Sequence, residues 1–167
     1  PRGATVRAGD EQGRVARLAG AEVLCRDGRI AFVGSREERR RRFGELPEAE
    51  RLDGGGGTLV PGFVDPHTHL PWAGSREEEF AERLRGATYL EIAARGGGIL
   101  STVGATRAAS EEELAAAMLP RLRRMLACGT TTAEAKSGYG LSLADETKQL
   151  EAIARAARLQ PVELVPT

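Results

Sequence analysis

Aromatic residues, histidine and lysine are scarce in this chain. Its 167 residues include one Trp, two Tyr, four Phe and two His, and Lys136 and Lys148 are the only lysines. The 24 basic and 24 acidic residues give a formal net charge of zero, which removes the electrostatic argument for a nucleic acid or an anionic membrane as partner. We therefore expect neither kind of partner.

Cysteine is also scarce, and long apolar runs are absent. Two cysteines, Cys25 and Cys128, are too few for a disulfide framework or a thiolate zinc site, which is typical of a protein in a reducing cytosol. No run approaches the ~18 apolar residues of a membrane span, and residues 1–10 lack the apolar core of a signal peptide. We expect a soluble, cytoplasmic protein.

The only two histidines, His67 and His69, follow the apolar run of residues 59–64. The pattern predicts a buried strand over this run, closed by Asp65 and Pro66 just before the histidines. In an extended segment, side chains two positions apart point to the same side, so both imidazoles are able to bind one metal ion. Imidazole binds zinc, iron, copper or nickel, and two solvated or hydrogen-bonded histidines are the alternative interpretation.

The pattern of the chain changes near residue 60. Before it, Asp27-Gly28 between two apolar segments predicts a β-hairpin, the charge run of residues 36–42 predicts a solvated helix, and Gly54–Gly57 form a flexible link. After it, apolar spacing and turn signals predict helices and strands in alternation. The predicted helices cover residues 77–84, 88–95, 111–127 and 143–159, and the predicted strands cover residues 130–134 and 162–165. Pro120 is expected to kink or split the third of these helices.

A strand that ends in candidate ligands favours an α/β barrel, where the chemistry lies at the C-terminal ends of the strands. A complete eightfold barrel needs about 250 residues, whereas residues 61–167 suffice for roughly three strand-helix units. We therefore expect residues 1–60 to form a small β unit and residues 61–167 to form the first units of a barrel. On this reasoning the chain is truncated and does not close the barrel.

Three further residues at strand ends are candidate metal ligands. Asp65 and Glu134 offer carboxylates, and Lys136 is able to offer an oxygen only if its amine is carboxylated. A carboxylate at a strand end more often orients a ligand or caps a loop. Both interpretations stay open at this level.

Two residues are candidates for binding a substrate. Arg76 lies where a loop enters a helix, and its guanidinium is able to clamp a carboxylate, or else to pair with Glu77 or Glu79 on the surface. Tyr139 stands between two glycines, which let the backbone turn sharply and present the ring. This placement favours a binding role for Tyr139 over a place in the core.

Six segments carry motifs that occur together in one enzyme superfamily. They are residues 27–34, 61–69 (Pro-Gly-Phe-Val-Asp-Pro-His-Thr-His), 74–80, 86–94, 96–99 and 134–141 (Glu-Ala-Lys-Ser-Gly-Tyr-Gly-Leu). The first resembles the N-terminal β-sandwich of the amidohydrolase superfamily, and the second resembles its metal-binding first barrel strand. The other four resemble the imidazolonepropionase family within it. The resemblance implies an α/β fold, an incomplete TIM-like (β/α)8 barrel of the amidohydrolase type preceded by part of a small β-sandwich domain.

The same resemblance implies a site and a reaction. His67 and His69 would bind one divalent metal ion, zinc or iron, and Lys136 would not be a ligand. Arg76 and Tyr139 would contact the substrate. The implied reaction is metal-dependent hydrolysis of the cyclic amide of 4-imidazolone-5-propanoate to N-formimidoyl-L-glutamate, in histidine degradation.

Part of the family's site has no counterpart in this chain. A further substrate-binding histidine, a later histidine and aspartate on the metal and a nearby glutamate are unmatched, so we expect them and the acid-base residue beyond Thr167, and we expect the chain alone to be inactive. Trp72 stands where a smaller residue is expected. The alternatives are a dihydroorotase- or hydantoinase-like binuclear enzyme with a carboxylated Lys136, and a non-catalytic fragment that binds metal adventitiously. An exposed barrel edge favours pairing with another chain, so a homodimer is one expected assembly.

Overall fold

The computed structural model describes residues 9–15 and 17–167. The chain divides into two compact units, one ending at Gly57 and the other covering Thr58–Thr167. In the first unit, strands β1 (Ala21–Arg26) and β2 (Arg29–Ser35) pair antiparallel. Both residues between them have positive φ, 52° at Asp27 and 71° at Gly28, as a two-residue turn of the mirror-image type requires. The predicted hairpin is confirmed.

Helix α1 (Arg36–Phe43) follows β2 directly. The hydroxyl of Ser35 accepts a hydrogen bond from the Glu38 amide, and the Glu38 carboxylate accepts one from the Ser35 amide, a reciprocal cap that starts the helix. The predicted surface helix is confirmed with one exception, because Arg39 is buried. Its guanidinium donates to the Glu22 carboxylate at 3.0 Å and thereby joins the helix to the hairpin.

The second unit alternates strands and helices. In chain order its elements are β3 (Phe63–Thr68), α2 (Glu77–Leu84), α3 (Tyr89–Ala94), α4 (Ile99–Ala108), α5 (Glu111–Ala127), β4 (Thr130–Ala135), α6 (Leu143–Ala157) and β5 (Glu163–Pro166). The three strands form a parallel sheet in the order β3-β4-β5. The fold is therefore mixed α/β, and within the described residues this sheet stays open, with no closed barrel.

The core of the second unit lies between β4 and the helices α5 and α6. Leu114, Met118 and Leu122 recur every four residues along α5 and are fully buried, as expected for one apolar face of a helix. Each contributes about 1.5–3 kcal/mol to folding through burial. On the strand side, Ala133 and Ala135 are fully buried, and their small side chains let the helices approach the sheet closely. This packing fixes where β4 ends, and with it the loop that follows.

The strand before the histidines differs from the prediction. It begins at Phe63 instead of Leu59, because Pro61 lacks an amide donor and the first ladder bond runs from the Phe63 amide to the Gly129 carbonyl at 2.8 Å. The strand also continues through His67 to Thr68, whereas the prediction ended it at Pro66. This is possible because β3 is an edge strand, and its pairing with β4 is interrupted between Asp65 and Thr68. Phe63 is 58% exposed, so the predicted burial of this strand is wrong: the described helices pack against β4 and β5.

Two helices also depart from expectation. Helix α5 is continuous through Pro120, so the predicted split is wrong. A proline inside a helix costs about 3 kcal/mol, but Leu114 and Leu122 anchor α5 in the core on both sides of the proline. Helix α4 was not predicted, because its apolar residues lack a helical face and Gly104 interrupts it. Across the described part of the chain, no helix has both the length and the apolar character needed to cross a lipid bilayer.

Candidate functional site

The two histidines lie together at the C-terminal end of β3. His67 is in the strand and His69 follows it, and their ring centroids are 5.5 Å apart. Between them, the Thr68 hydroxyl donates to the Glu134 carbonyl of the neighbouring strand β4, so this side chain points away from the two imidazoles. The geometry expected of residues two positions apart in a strand is present. Metal binding by the pair stays a prediction.

One imidazole nitrogen has no hydrogen-bond partner. The Nδ1 atom of His69 is buried and makes no hydrogen bond with any described residue, although an unsatisfied buried polar atom typically costs about 1–3 kcal/mol. A nitrogen left without a protein partner beside a second imidazole fits a ligand pair for a metal ion. Residues 9–15 and 17–167 contain no cluster of three His, Cys, Asp or Glu side chains with the geometry to hold such an ion.

Glu134, at the end of β4, lies between an imidazole and an ammonium group. Its Oε2 atom is 3.9 Å from His67 Nδ1, and its Oε1 atom accepts hydrogen bonds from Lys136 Nζ at 3.1 Å and from the Thr167 hydroxyl at 3.0 Å. The hydrogen bond from Lys136 lowers the pKa of the Glu134 carboxyl more than burial raises it. The carboxylate is therefore ionised at neutral pH. A carboxylated, anionic Lys136 would repel it, which disfavours the lysine as a metal ligand in this arrangement.

Asp65 makes the local contact expected of a carboxylate that caps a loop or orients a ligand. Its Oδ1 atom accepts a hydrogen bond from the His67 backbone amide at 3.3 Å, the local contact of a short polar side chain that caps the residue two positions on. The carboxylate thus supports the backbone of one candidate ligand.

Arg76 is exposed at the N-terminal end of α2. Within the described residues its guanidinium makes no hydrogen bond or ion pair. The alternative, a surface pair with Glu77 or Glu79, is not formed between described residues; the Glu79 carboxylate instead accepts a hydrogen bond from the Gly98 amide at 2.9 Å. The guanidinium of Arg76 is therefore available to a ligand, and its contact with a substrate stays a prediction.

Tyr139 does join the histidines. Its ring centroid is 5.4 Å from that of His69, with 58° between the ring planes, although the two residues come from loops after different strands. Parallel pairing of β3 with β4 brings these loops to the same edge of the sheet. Gly138 also lies against the His69 ring, because a Cβ atom at that position would be 3.0 Å from His69 Cε1.

Two residues that support loops near the site were not among the candidates from the sequence. Glu146, in the first turn of α6, accepts hydrogen bonds from three backbone amides of the loop that carries Tyr139. Arg121 donates to the carbonyls of Leu70 and Trp72 at 2.7 and 2.9 Å, and its guanidinium stacks 3.6 Å from the centre of the Trp72 ring. Burial of this guanidinium lowers its pKa. A first-turn acid beside a glycine loop was a usable signal for Glu146, whereas Arg121 resembles any charged residue on a helix.

Comparison with known proteins identifies close relatives. No family model matches the chain. It is 55% identical to an imidazolonepropionase of Symbiobacterium thermophilum over 161 residues, and these residues make up 96% of this chain and 38% of the relative. It is 59% identical over 149 residues to an imidazolonepropionase of Myxococcus xanthus, covering 89% of this chain and 35% of the relative. A third, from Herpetosiphon aurantiacus, is 47% identical over 159 residues, or 95% of this chain and 36% of the relative.

These matches confirm the resemblance that the motifs indicated. The chain spans a little over a third of the length of the curated relatives it matches. Over nearly all of its own length, the chain is homologous to part of the proteins named imidazolonepropionase.

Proposed function

We propose that the natural protein hydrolyses 4-imidazolone-5-propanoate to N-formimidoyl-L-glutamate in histidine degradation. The observation that carries the proposal is the convergence of His67, His69 and Tyr139 at one edge of a parallel sheet. These residues come from the motifs that point to imidazolonepropionase, and the relatives of that name are about half identical to the chain.

The architecture supports a barrel enzyme. In the proposal, residues 61–167 are the first units of an amidohydrolase barrel and residues 1–60 belong to a small β-sandwich domain. The second unit has three parallel strands joined through helices, and its candidate ligands lie at the C-terminal strand ends, where barrel enzymes place their chemistry. We propose a cytoplasmic enzyme with a small-molecule substrate, and a homodimer as its assembly, which light scattering of the natural protein tests.

His67 and His69 would hold one divalent metal ion. Imidazole suits both zinc and iron, and the unpartnered Nδ1 of His69 fits such a role. When bound, the ion supplies Lewis-acid activation of water and polarisation of the substrate carbonyl. Glu134 contributes negative charge 3.9 Å from His67 Nδ1, which stabilises the ring as a positively polarised ligand.

The substrate would be held from two sides. Arg76 would bind an anionic group through paired N–H donors, a role for which its exposed guanidinium is free of other partners among the described residues. Tyr139 would donate a hydrogen bond from its hydroxyl to the ring or the carboxylate of the substrate. Two fixed contacts orient the ring carbonyl for attack and so lower the entropic part of the barrier. No residue of this chain is assigned to proton transfer.

A binuclear dihydroorotase-like enzyme is the competing proposal, and it needs a carboxylated Lys136. The hydrogen bond from Lys136 to Glu134 at 3.1 Å favours the free ammonium form. Metal analysis of a Lys136→Met variant separates the two, since the mononuclear site keeps its metal and the binuclear site loses it.

The deciding experiment uses the natural full-length protein. Ring opening of 4-imidazolone-5-propanoate is followed by mass spectrometry of the product, alongside analysis of the bound metal. A folded, metal-loaded protein that yields no N-formimidoyl-L-glutamate would sink the proposal.

A further inference from the structure

The loop of residues 137–141, between β4 and α6, carries Tyr139 in a backbone conformation that is intrinsically unfavourable. Leu141 has φ of +55° although it is not glycine, and Gly138 has φ of +118°. At Leu141 this conformation costs on the order of 1–3 kcal/mol and persists only where the surroundings hold it, whereas a glycine adopts positive φ at little cost. The 137–141 loop therefore needs an external restraint.

That restraint is the Glu146 carboxylate. Its Oε1 atom accepts hydrogen bonds from the amides of Gly140 at 2.9 Å and Leu141 at 2.7 Å, and its Oε2 atom accepts one from the amide of Gly138 at 2.5 Å. These three bonds to an ionised carboxylate are charge-assisted and about twice as strong as neutral ones. The Gln149 side chain adds a further donor, Nε2, at 3.3 Å from Oε2. Both amides that flank Tyr139 in the chain are thus tied to a single side chain.

The loop also lies directly on the helix that supplies this carboxylate. A Cβ atom at Gly140 would be 2.6 Å from the backbone nitrogen of Glu146, so only glycine permits the approach. On its other side, Arg107 donates from Nε to the Gly140 carbonyl at 2.6 Å. Gln149 accepts a hydrogen bond from the Tyr139 amide at 3.3 Å. The backbone that carries Tyr139 is therefore held to α6, and α6 packs in the core.

We propose that Glu146 is a positioning residue for substrate binding, which acts through the 137–141 loop to hold Tyr139 beside His69. The inference rests on the proposed function for the role of Tyr139, but the restraint on the loop is a property of the chain itself. Replacement of the carboxylate by an amide, in Glu146→Gln, turns one of its two acceptor ends into a donor that faces other donors. The loop then loses at least one of its bonds to α6, and Tyr139 is held less firmly beside His69.

The test compares Glu146→Gln with Glu151→Gln in the natural full-length protein. Glu151 lies on the same helix and is exposed. Its side chain makes no hydrogen bond or ion pair with a described residue, so its substitution is the matched control. We expect Glu146→Gln to lower kcat/KM by about ten- to hundredfold, the scale of a small misplacement of a binding group, and to act mainly through KM. The control should stay within twofold of the wild type, and both variants should keep their metal.

A double-mutant cycle with Tyr139→Phe separates positioning from a general loss of structure. If Glu146 acts through Tyr139, Glu146→Gln should lower kcat/KM by a distinctly smaller factor once the hydroxyl is absent. The same factor in both backgrounds, or an effect below twofold in the first, overturns the proposal. If Glu146→Gln does not fold, Glu146→Asp takes its place, because a side chain one methylene shorter cannot reach all three amides.

Amide hydrogen exchange gives a readout that needs no activity. In the wild type the amides of Gly138, Gly140 and Leu141 should be protected, and in Glu146→Gln they should exchange faster while the core of α5 stays protected. Unchanged exchange overturns the restraint whatever the enzyme does. A wild-type protein without turnover would end the proposed function and with it the substrate role of Tyr139, and faster exchange in the variant would then support the restraint alone.

Discussion

Gly138→Ala is expected to damage the candidate metal site although both histidines are kept. The backbone at Gly138 has φ of +118°, a conformation that costs about 1–3 kcal/mol for a residue with a side chain. In addition, the new Cβ atom would lie 3.0 Å from Cε1 and 3.2 Å from Nδ1 of His69, closer than ordinary van der Waals contact. The imidazole must therefore move by a few tenths of an ångström, and its buried Nδ1 moves with it.

The expected result has two parts, measured on the natural full-length protein. The free energy of unfolding from denaturant titration should fall by about 1–3 kcal/mol. Metal affinity, from competition with a chromophoric chelator, should fall by about ten- to hundredfold, which is the usual effect of disturbing a residue that supports a ligand.

Gly104→Ala is the matched control, because it makes the same chemical change inside α4. An added Cβ there meets nothing within 4 Å, and alanine in a helix is about 0.5–1 kcal/mol more stable than glycine. The control should raise stability and leave metal affinity unchanged. A Gly138→Ala protein with wild-type stability and metal affinity would refute the claim that this glycine packs against a metal ligand.

Three further predictions address the ligands, the core and the acid dependence of stability. His67→Ala and His69→Ala should each lose bound metal, whereas Lys136→Met should retain it, as measured by elemental analysis of the purified proteins; metal retained in both histidine variants would exclude the site. Met118→Ala should lower the free energy of unfolding by about 2–5 kcal/mol, because this side chain is fully buried between α5 and the sheet; a loss well below that range in denaturant titration would contradict the packing. Burial acts to raise the pKa of the Glu146 carboxyl, but hydrogen bonds from the 137–141 loop outweigh it and hold the pKa below its ordinary value of 4.5. Its stabilising effect is therefore present above about pH 4.5 and is lost as the pH falls through the lowered folded-state pKa, so stability measured from pH 7 to pH 3 should fall less steeply in Glu146→Gln than in the wild type.

Local rules accounted for most of the secondary structure. The Asp27-Gly28 turn, the start of α5 and the start of α6 were predictable, because each depends on the conformational preferences of a few adjacent residues. At the start of α5, for example, the Ser110 hydroxyl accepts a hydrogen bond from the Glu113 amide. The same rules failed where packing opposed them. Pro120 stays inside a continuous helix because the residues around it are anchored in the core.

The site divides in the same way. The pairing of the two histidine rings follows from their spacing in a strand and needs only local geometry. Arg76 is exposed at the start of α2, and its guanidinium makes no hydrogen bond or ion pair within the described residues. Its role as a substrate contact stays a prediction that a charge-neutral variant, Arg76→Gln, tests through KM.

The sequence by itself determined most of the elements, the chemistry available to them and the homology to imidazolonepropionase. Only the tertiary structure decided which distant groups meet. Tyr139 lies beside His69 because β3 and β4 pair in parallel, and it is held there because Glu146 on α6 binds the amides on both sides of it. Turns and caps depend on neighbouring residues, whereas these contacts depend on strand register and helix packing, which the burial of the whole core sets.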